Sequence, residues 1–148
     1  MAVQTTYTNM AGAVAGAIGN MVPATLISRS VEDSAGIGFG VAVKQGTADY
    51  GCAAFGSGDT AILGITARER DVAADTPDKF AENENARVMT KGCVWVLCTT
   101  GCSPGDPVYV RPSNGTFQDS SANSGVQIAG ARWETTAEAG ALALVRMG

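Results

Sequence analysis

The sequence predicts an all-β domain, and three observations carry that prediction. Nineteen glycines in 148 residues imply many turns and short segments rather than long helices. Apolar runs of strand length recur about every ten residues, each bounded by Gly, Pro, Asn, Asp or Ser. No run sustains a convincing helical period, so a β-sandwich or barrel follows.

At 148 residues the chain fits one domain, which can bury about 68–70% of its unfolded surface without crosslinks. The net charge is −4, and the ten basic residues are scattered, so there is no footprint for nucleic-acid phosphate.

Residues 1–24 form an N-terminal arm without charge, rich in Ala, Gly, Thr and Asn, ahead of a β domain at 25–148. Met10, Val14, Ile18 and Met21 recur at near-helical spacing, but Gly12, Gly16 and Gly19 each cost such a helix about 1 kcal/mol. The apolar run from Met10 to Val22 is interrupted by Asn20 and is too short to span a bilayer. Residues 1–28 hold no Lys or Arg, so the basic region of an export signal is missing and synthesis in a cytosol is expected. Two placements stay open: the arm lies along another protein, or it packs on its own domain. An exposed apolar arm without a cover is an aggregation liability, so the first placement implies an assembly.

Leu26 to Val31 reads as a strand, and Glu32 to Gly36 as a turn. Ile37 to Lys44 alternates with period two, which predicts one strand with Ile37, Phe39, Val41 and Val43 facing the core. Gly38, Gly40 and Ala42 leave room for another layer to approach, or mark bends in a sheet. Turns follow at 46–51 and 56–59, and Ala61 to Ala67 gives a further strand.

Residues 69–86 carry six of the fourteen acidic residues and read as a solvated loop. Asp71, Asp75 and Asp78 lack the glycine and terminal glutamate of a helix-loop-helix calcium site. Cys93 to Cys98 is a continuous apolar run that suits a strand buried on both faces. Pro104, Gly105, Asp106 and Pro107 form a turn, Val108 to Arg111 a strand, and Asn114-Gly115 a tight hairpin with Thr116 and Phe117 starting the return. Val126 to Trp133 and Ala141 to Arg146 are the last strands.

Catalytic chemistry finds little support. Without a histidine, Ser-His and Cys-His arrangements are impossible, and no enzyme is expected. Asp106 and Glu134 are the one carboxylate pair worth weighing, but Asp106 sits where a turn prefers it. Cys52, Cys93, Cys98 and Cys102 read as reduced, buried thiols, and Cys98 with Cys102 lacks a second pair to complete a zinc site. No metal or other cofactor is expected.

Residues 105–117 and 130–147 resemble the head-decoration, or structural cement, proteins of tailed bacteriophages. Leu26 to Glu32, Ala61 to Ile65 and Lys91 to Val96 agree, so the resemblance covers most of 24–148. It implies a jelly-roll-like β domain, a homo-oligomer (dimer or trimer) on the outside of a phage head, clamping neighbouring major capsid proteins in the virion. Direct contact with nucleic acid or membrane is not expected. Within that expectation Met10, Val14, Ile18, Met21 and Val22 are the candidate capsid or inter-subunit contacts. The alternative is a carbohydrate-binding jelly-roll module, whose platform would be Trp95, Tyr109 and Trp133.

Overall fold

The computed structural model describes residues 14–72 and 74–148. Among these, the strands are β1 (Thr25–Val31), β2 (Ile37–Gly38), β3 (Ala42–Gln45), β4 (Gly51–Ala54), β5 (Gly64–Thr66), β6 (Lys79–Phe80), β7 (Asn85–Cys98), β8 (Pro107–Val110), β9 (Phe117–Gln118), β10 (Val126–Trp133) and β11 (Ala141–Met147). A short 3-10 turn at Ala122–Ser124 is the only helical element among the described residues.

β7 is the shared member of two closed rings. Its first half pairs antiparallel with β1, from Ser30↔Asn85 to Thr25↔Lys91, and with β5 at Ile65↔Met89 and Thr66↔Val88. That ring closes through β3 and β4, the β1–β4 contact being parallel. The second half pairs with β11 from Met147↔Gly92 to Ala141↔Cys98. That ring runs on through β10, β8 and β9 and returns to β7 at the parallel pair Cys98↔Phe117. The chain is all-β, and closed rings place it on the barrel side of the sandwich-or-barrel alternative.

The halves of β7 meet at Gly92, whose φ is +116°. A Cβ there would lie 2.9 Å from the Ala24 Cβ, so both the backbone angle and the packing require glycine.

Each ring has a core because its strands alternate. Val31, Ile37, Val43, Phe80 and Val88 fill the first, where Phe39 meets Phe80 edge-on at 5.0 Å between ring centroids. Val94, Val96, Val110, Trp133 and Val145 fill the second. Ala42, Ile65 and Met89, on strands of the first ring, turn their other faces into the second core. Neighbours such as Ala42 and Val43 therefore serve different cores, which fuses the two barrels. Each large apolar side chain so buried contributes about 1.5–3 kcal/mol.

Four expectations need correction. The single strand from Ile37 to Lys44 is two strands, because Gly40 takes φ +69° between them. Thr66 Oγ1 holds that break, accepting the Val41 N–H at 2.9 Å and donating to the Gly38 carbonyl at 2.8 Å. Val41 is consequently only half-buried. The acidic stretch at 69–86 contains β6 and the first residues of β7 rather than loop alone.

The run from Cys93 to Cys98 is buried on both faces only at its start, where Cys93 is wholly buried. Further along that same face Trp95 is half-buried and Leu97 is 47% exposed. At 111–116 the chain makes a longer loop than a two-residue hairpin. Gly115 alone takes positive φ, +69°, and its N–H donates to the Arg111 carbonyl at 2.7 Å. Asn114 instead accepts at Oδ1 from the Thr116 hydroxyl at 2.8 Å and from its N–H at 3.2 Å.

Candidate functional site

Residues 14–24 run against both barrels. The Gly16 N–H donates to the Trp95 carbonyl at 2.8 Å, the Trp95 N–H to Ala17 at 2.9 Å, and the Gly19 N–H to Cys93 at 2.9 Å. Ile18 thus sits opposite Val94 as an antiparallel bridge. On the first-barrel side the Arg68 N–H donates to the Gly16 carbonyl at 2.7 Å.

Glycine is required at this crossing. Gly16 has φ +80°, and a Cβ on it would lie 2.7 Å from the Phe39 Cβ and 2.8 Å from the Gly40 nitrogen. Gly40 faces it with equal closeness, so the room left at Gly40 is taken up by the chain's own N-terminal segment. A Cβ on Gly19 would collide with Leu144 Cδ1 and lie 3.1 Å from Trp95 Nε1.

The segment is fixed through its main chain and leaves its large side chains outside. Val14 is 52%, Ile18 42% and Met21 99% exposed, while Val22 is half-buried. Leu97 lies alongside, since Ala15 and Leu97 line one cavity of about 270 Å³ with Phe39, Val41 and Phe117. The register adds Leu142 opposite Leu97, and Leu142 is half-buried. The result is an apolar surface on the outside of the second barrel, built from the N-terminal segment and β7–β11. Met10 lies outside the described residues.

The turn residues are held as follows. Gly105 has φ +94°, and Asp106 Oδ2 accepts the Ser103 N–H at 2.8 Å, closing the turn between Pro104 and Pro107. The Asp106 carbonyl accepts the Trp133 N–H at 2.9 Å, which brings Glu134 near in the chain. The two carboxylates are nevertheless engaged elsewhere, Asp106 with Ser103 and Glu134 with Arg146 at 3.8 Å.

The aromatic platform does not assemble. Trp133 is wholly buried in the second core, so it offers no face to a sugar, and Trp95 and Tyr109 are each half-buried. All four cysteines are buried free thiols. Burial, with Asp33 and Glu32 nearby, pushes the Cys52 thiol up to about 11. Burial and Cys98 push Cys102 up to about 12. Both therefore stay protonated at neutral pH and are poor nucleophiles. Among the described residues, no three Cys, Asp or Glu side chains converge as a metal site, and no helix is long and apolar enough to cross a membrane.

A second surface feature went unnoticed in the sequence. Between β3 and β4 the turn at 46–50 is held by Glu32, whose carboxylate accepts the Thr47 N–H at 2.8 Å, the Thr47 hydroxyl at 3.1 Å and the Ala48 N–H at 2.9 Å. The amide donors of Ala48 and then Thr47 hold the Glu32 carboxyl below its usual range. Gln45 Nε2 donates to the Ala48 and Asp49 carbonyls at 2.8 and 3.1 Å. The turn ends in Tyr50, 75% exposed, with the Arg29 guanidinium 5.8 Å from its ring centroid. The available signal was an aromatic residue directly before a glycine in a predicted turn.

Comparisons with known proteins place this architecture. A search of curated proteins finds no match. A chain from the structure described as the capsid of Myoviridae phage XM1 superposes with a TM-score of 0.77 at 20% identity, covering 97% of this chain and 95% of that one. That likeness shows a common fold. The N base of head fiber gp8.5 of bacteriophage phi29 is more distant, with a TM-score of 0.45 at 12% identity over 85% of this chain and 95% of that one. The family described as structural cement protein (E217 gp24/Pam3 gp6) matches residues 3–148. The chain therefore belongs to the phage structural cement protein family, and it is a structural protein that stabilises a phage capsid.

Proposed function

We propose that the chain sits on the outer surface of the head, where it clamps neighbouring major capsid proteins through the surface built on residues 14–22. In this reading it is made in the host cytoplasm, assembles as a dimer or trimer, and does no chemistry of its own. Residues 1–24 supply the contact element, and the β domain at 25–148 displays it.

One observation carries the reading. The N-terminal segment is bonded to both barrels by its backbone, yet Val14, Ile18 and Met21 remain exposed, spread along the second half of β7. A segment seated by its main chain gives up little further freedom when its side chains enter a partner's surface, which lowers the ordering cost of binding. Several copies in one oligomer then add avidity, typically about 10² to 10⁴ for linked sites.

The test is co-sedimentation with undecorated heads. An Ile18→Asp/Met21→Asp variant is expected to keep the wild-type melt, since both side chains are exposed, and to lose head occupancy. Full occupancy by that variant would move the contact off this surface.

A further inference from the structure

The functional reading leaves the thiols of Cys98 and Cys102 unused, and the structure brings them together where the second ring closes. Cys98 ends β7, paired with Phe117 of β9 and with Ala141 of β11. Cys102 follows after Thr99, Thr100 and Gly101, and Gly101 turns the chain with φ +84°. Both side chains belong to the second core, and the Cys102 thiol lies in hydrogen-bond contact with the Cys98 thiol.

The backbone holds this approach. Cys102 and Ala137 exchange two hydrogen bonds, at 3.0 and 3.1 Å, and the Gly140 N–H donates to the Cys98 carbonyl at 2.8 Å. Residues 137–141 turn back on themselves, the Ala141 N–H donating to the Glu138 carbonyl at 3.0 Å, so the attachment points of the two cysteines are drawn toward each other. Neither remaining cysteine joins them. Cys52 lies in the first core, and Cys93, an odd number of residues from Cys98, faces the other side of β7. Cys102 is also the one cysteine that reaches the surface, 7% exposed against 0% for the other three.

We propose that Cys98 and Cys102 form a latent disulfide, reduced while the chain is in the host cell and closed once the virion meets an oxidising exterior. The oxidant is a small-molecule disulfide. Cys102 attacks it and keeps one half as a mixed disulfide, releasing the other half as a thiol; Cys98 then attacks the Cys102 sulfur and expels the second half. Two protein thiols thereby lose two electrons and two protons, and the small disulfide is reduced to two thiols. Burial, and then the neighbouring Cys98, hold the Cys102 thiol up at about 12, so thiolate is scarce at neutral pH and closure is slow. A reducing cytosol keeps the pair open throughout synthesis. Once formed, the bond ties the last residue of β7 to the chain beyond it and suppresses local opening where the second ring closes. The pairing itself does not rest on the proposed capsid contact.

The experiment incubates the purified full-length chain with oxidised glutathione at about pH 8.5, which raises the thiolate fraction. Intact mass, thiols titrated after unfolding, a peptide map and the urea midpoint are then read. Wild type is expected to lose two of its four free thiols, with its mass lower by two hydrogens and the map linking Cys98 to Cys102. Its urea midpoint is expected to rise by the equivalent of about 10- to 30-fold in the folded-to-unfolded ratio, the chain-entropy effect of closing the small loop 98–102. Cys98→Ser is expected to stop at a glutathione adduct on Cys102, with no rise in midpoint. Four thiols retained in wild type, or a link through Cys52 or Cys93, would overturn the proposal. So would the expected link with a lowered midpoint, because the bond would then strain the ring instead of locking it. The wild-type map decides the pairing whether or not the variant folds.

Discussion

Replacing Gly16 by alanine should detach the N-terminal segment while leaving the barrels folded. The residue holds φ +80°, a region that costs an alanine about 1–2 kcal/mol. Its new Cβ would also press on the Phe39 Cβ at 2.7 Å and the Gly40 nitrogen at 2.8 Å, both on or next to the main chain. Relief by side-chain rotation is closed off, and overpacking of this kind costs about 1–3 kcal/mol. The combined penalty is about 2–5 kcal/mol. Against it stand four backbone hydrogen bonds: Gly16 to Trp95, Trp95 to Ala17, Gly19 to Cys93 and Arg68 to Gly16. At a net 0.5–1.5 kcal/mol each they give roughly 2–6 kcal/mol, before the cost of ordering residues 15–19 is subtracted.

The penalty is of the same size as those four bonds, so with ordering also opposing attachment, peeling the segment away is an easier relief than distorting the first barrel. Amide exchange resolved by NMR is the assay. In Gly16→Ala the Gly16, Gly19, Trp95 and Arg68 amides should lose protection, while Val94 and Val96 within the β7–β11 ladder keep theirs. Unchanged protection at Gly16 and Trp95 would refute the close approach on which the reasoning depends. Loss at Val94 and Val96 as well would show that the segment is integral to the second barrel.

Two other perturbations bear on the fold. Gly115→Val should lower the urea midpoint by an amount equivalent to about 1–2 kcal/mol, because φ +69° is strained for a β-branched residue although a Cβ would meet only the Phe55 carbonyl, at 3.5 Å; an unchanged midpoint would mean the loop relaxes without cost. Stability should also fall on acidification. Glu32 is held low by the Ala48 and Thr47 amides, Asp59 by Lys44 and the Gly56 amide, and Glu69 by the Arg70 and Asp71 amides. Folded values below the unfolded ones mean that their contribution is complete above the ordinary carboxylate range, about pH 4–4.5, and disappears as pH drops through the depressed values. Urea midpoints between pH 7 and pH 3 should be flat and then decline, with a shallower decline in Glu32→Gln; a midpoint that rises on acidification would reverse the assignment.

Strands with dense β-branched or aromatic content were legible from sequence. β1, β8, β10 and β11 stand out through Val, Ile, Leu, Tyr and Trp between clear turn residues. β4 did not, because Gly51-Cys52-Ala53-Ala54 has no β-forming side chain and becomes a strand only by pairing with β3 and β1. The first half of β7 hid behind Asn85, Arg87 and Lys91, although Ala86 and Val88 are wholly buried while Asn85 and Lys91 are exposed, an alternation that was there to be read. The split at Gly40 turns on Thr66, 26 positions away in sequence, and local pattern cannot report such a contact. The candidate surface was legible as apolar residues at 14–22 but not as a place, because the segment is seated by amides and carbonyls that every residue carries. Tyr50 was passed over because a lone ring in a turn has no periodicity to betray it.

The sharing of β7 decides how the molecule carries load. A pull applied between its two barrels travels along one continuous strand, and the antiparallel ladders on either side of Gly92 run along the line of force. In that arrangement the hydrogen bonds of a ladder are sheared together instead of being unzipped one at a time. Withdrawing the second half of β7 means breaking its whole pairing with β11, from Gly92 to Cys98, in one event. The same two barrels joined by a flexible linker would hinge or stretch under that pull. Built around one strand, they resist as a tie-rod does, and a grip at each end would be transmitted through the molecule as tension.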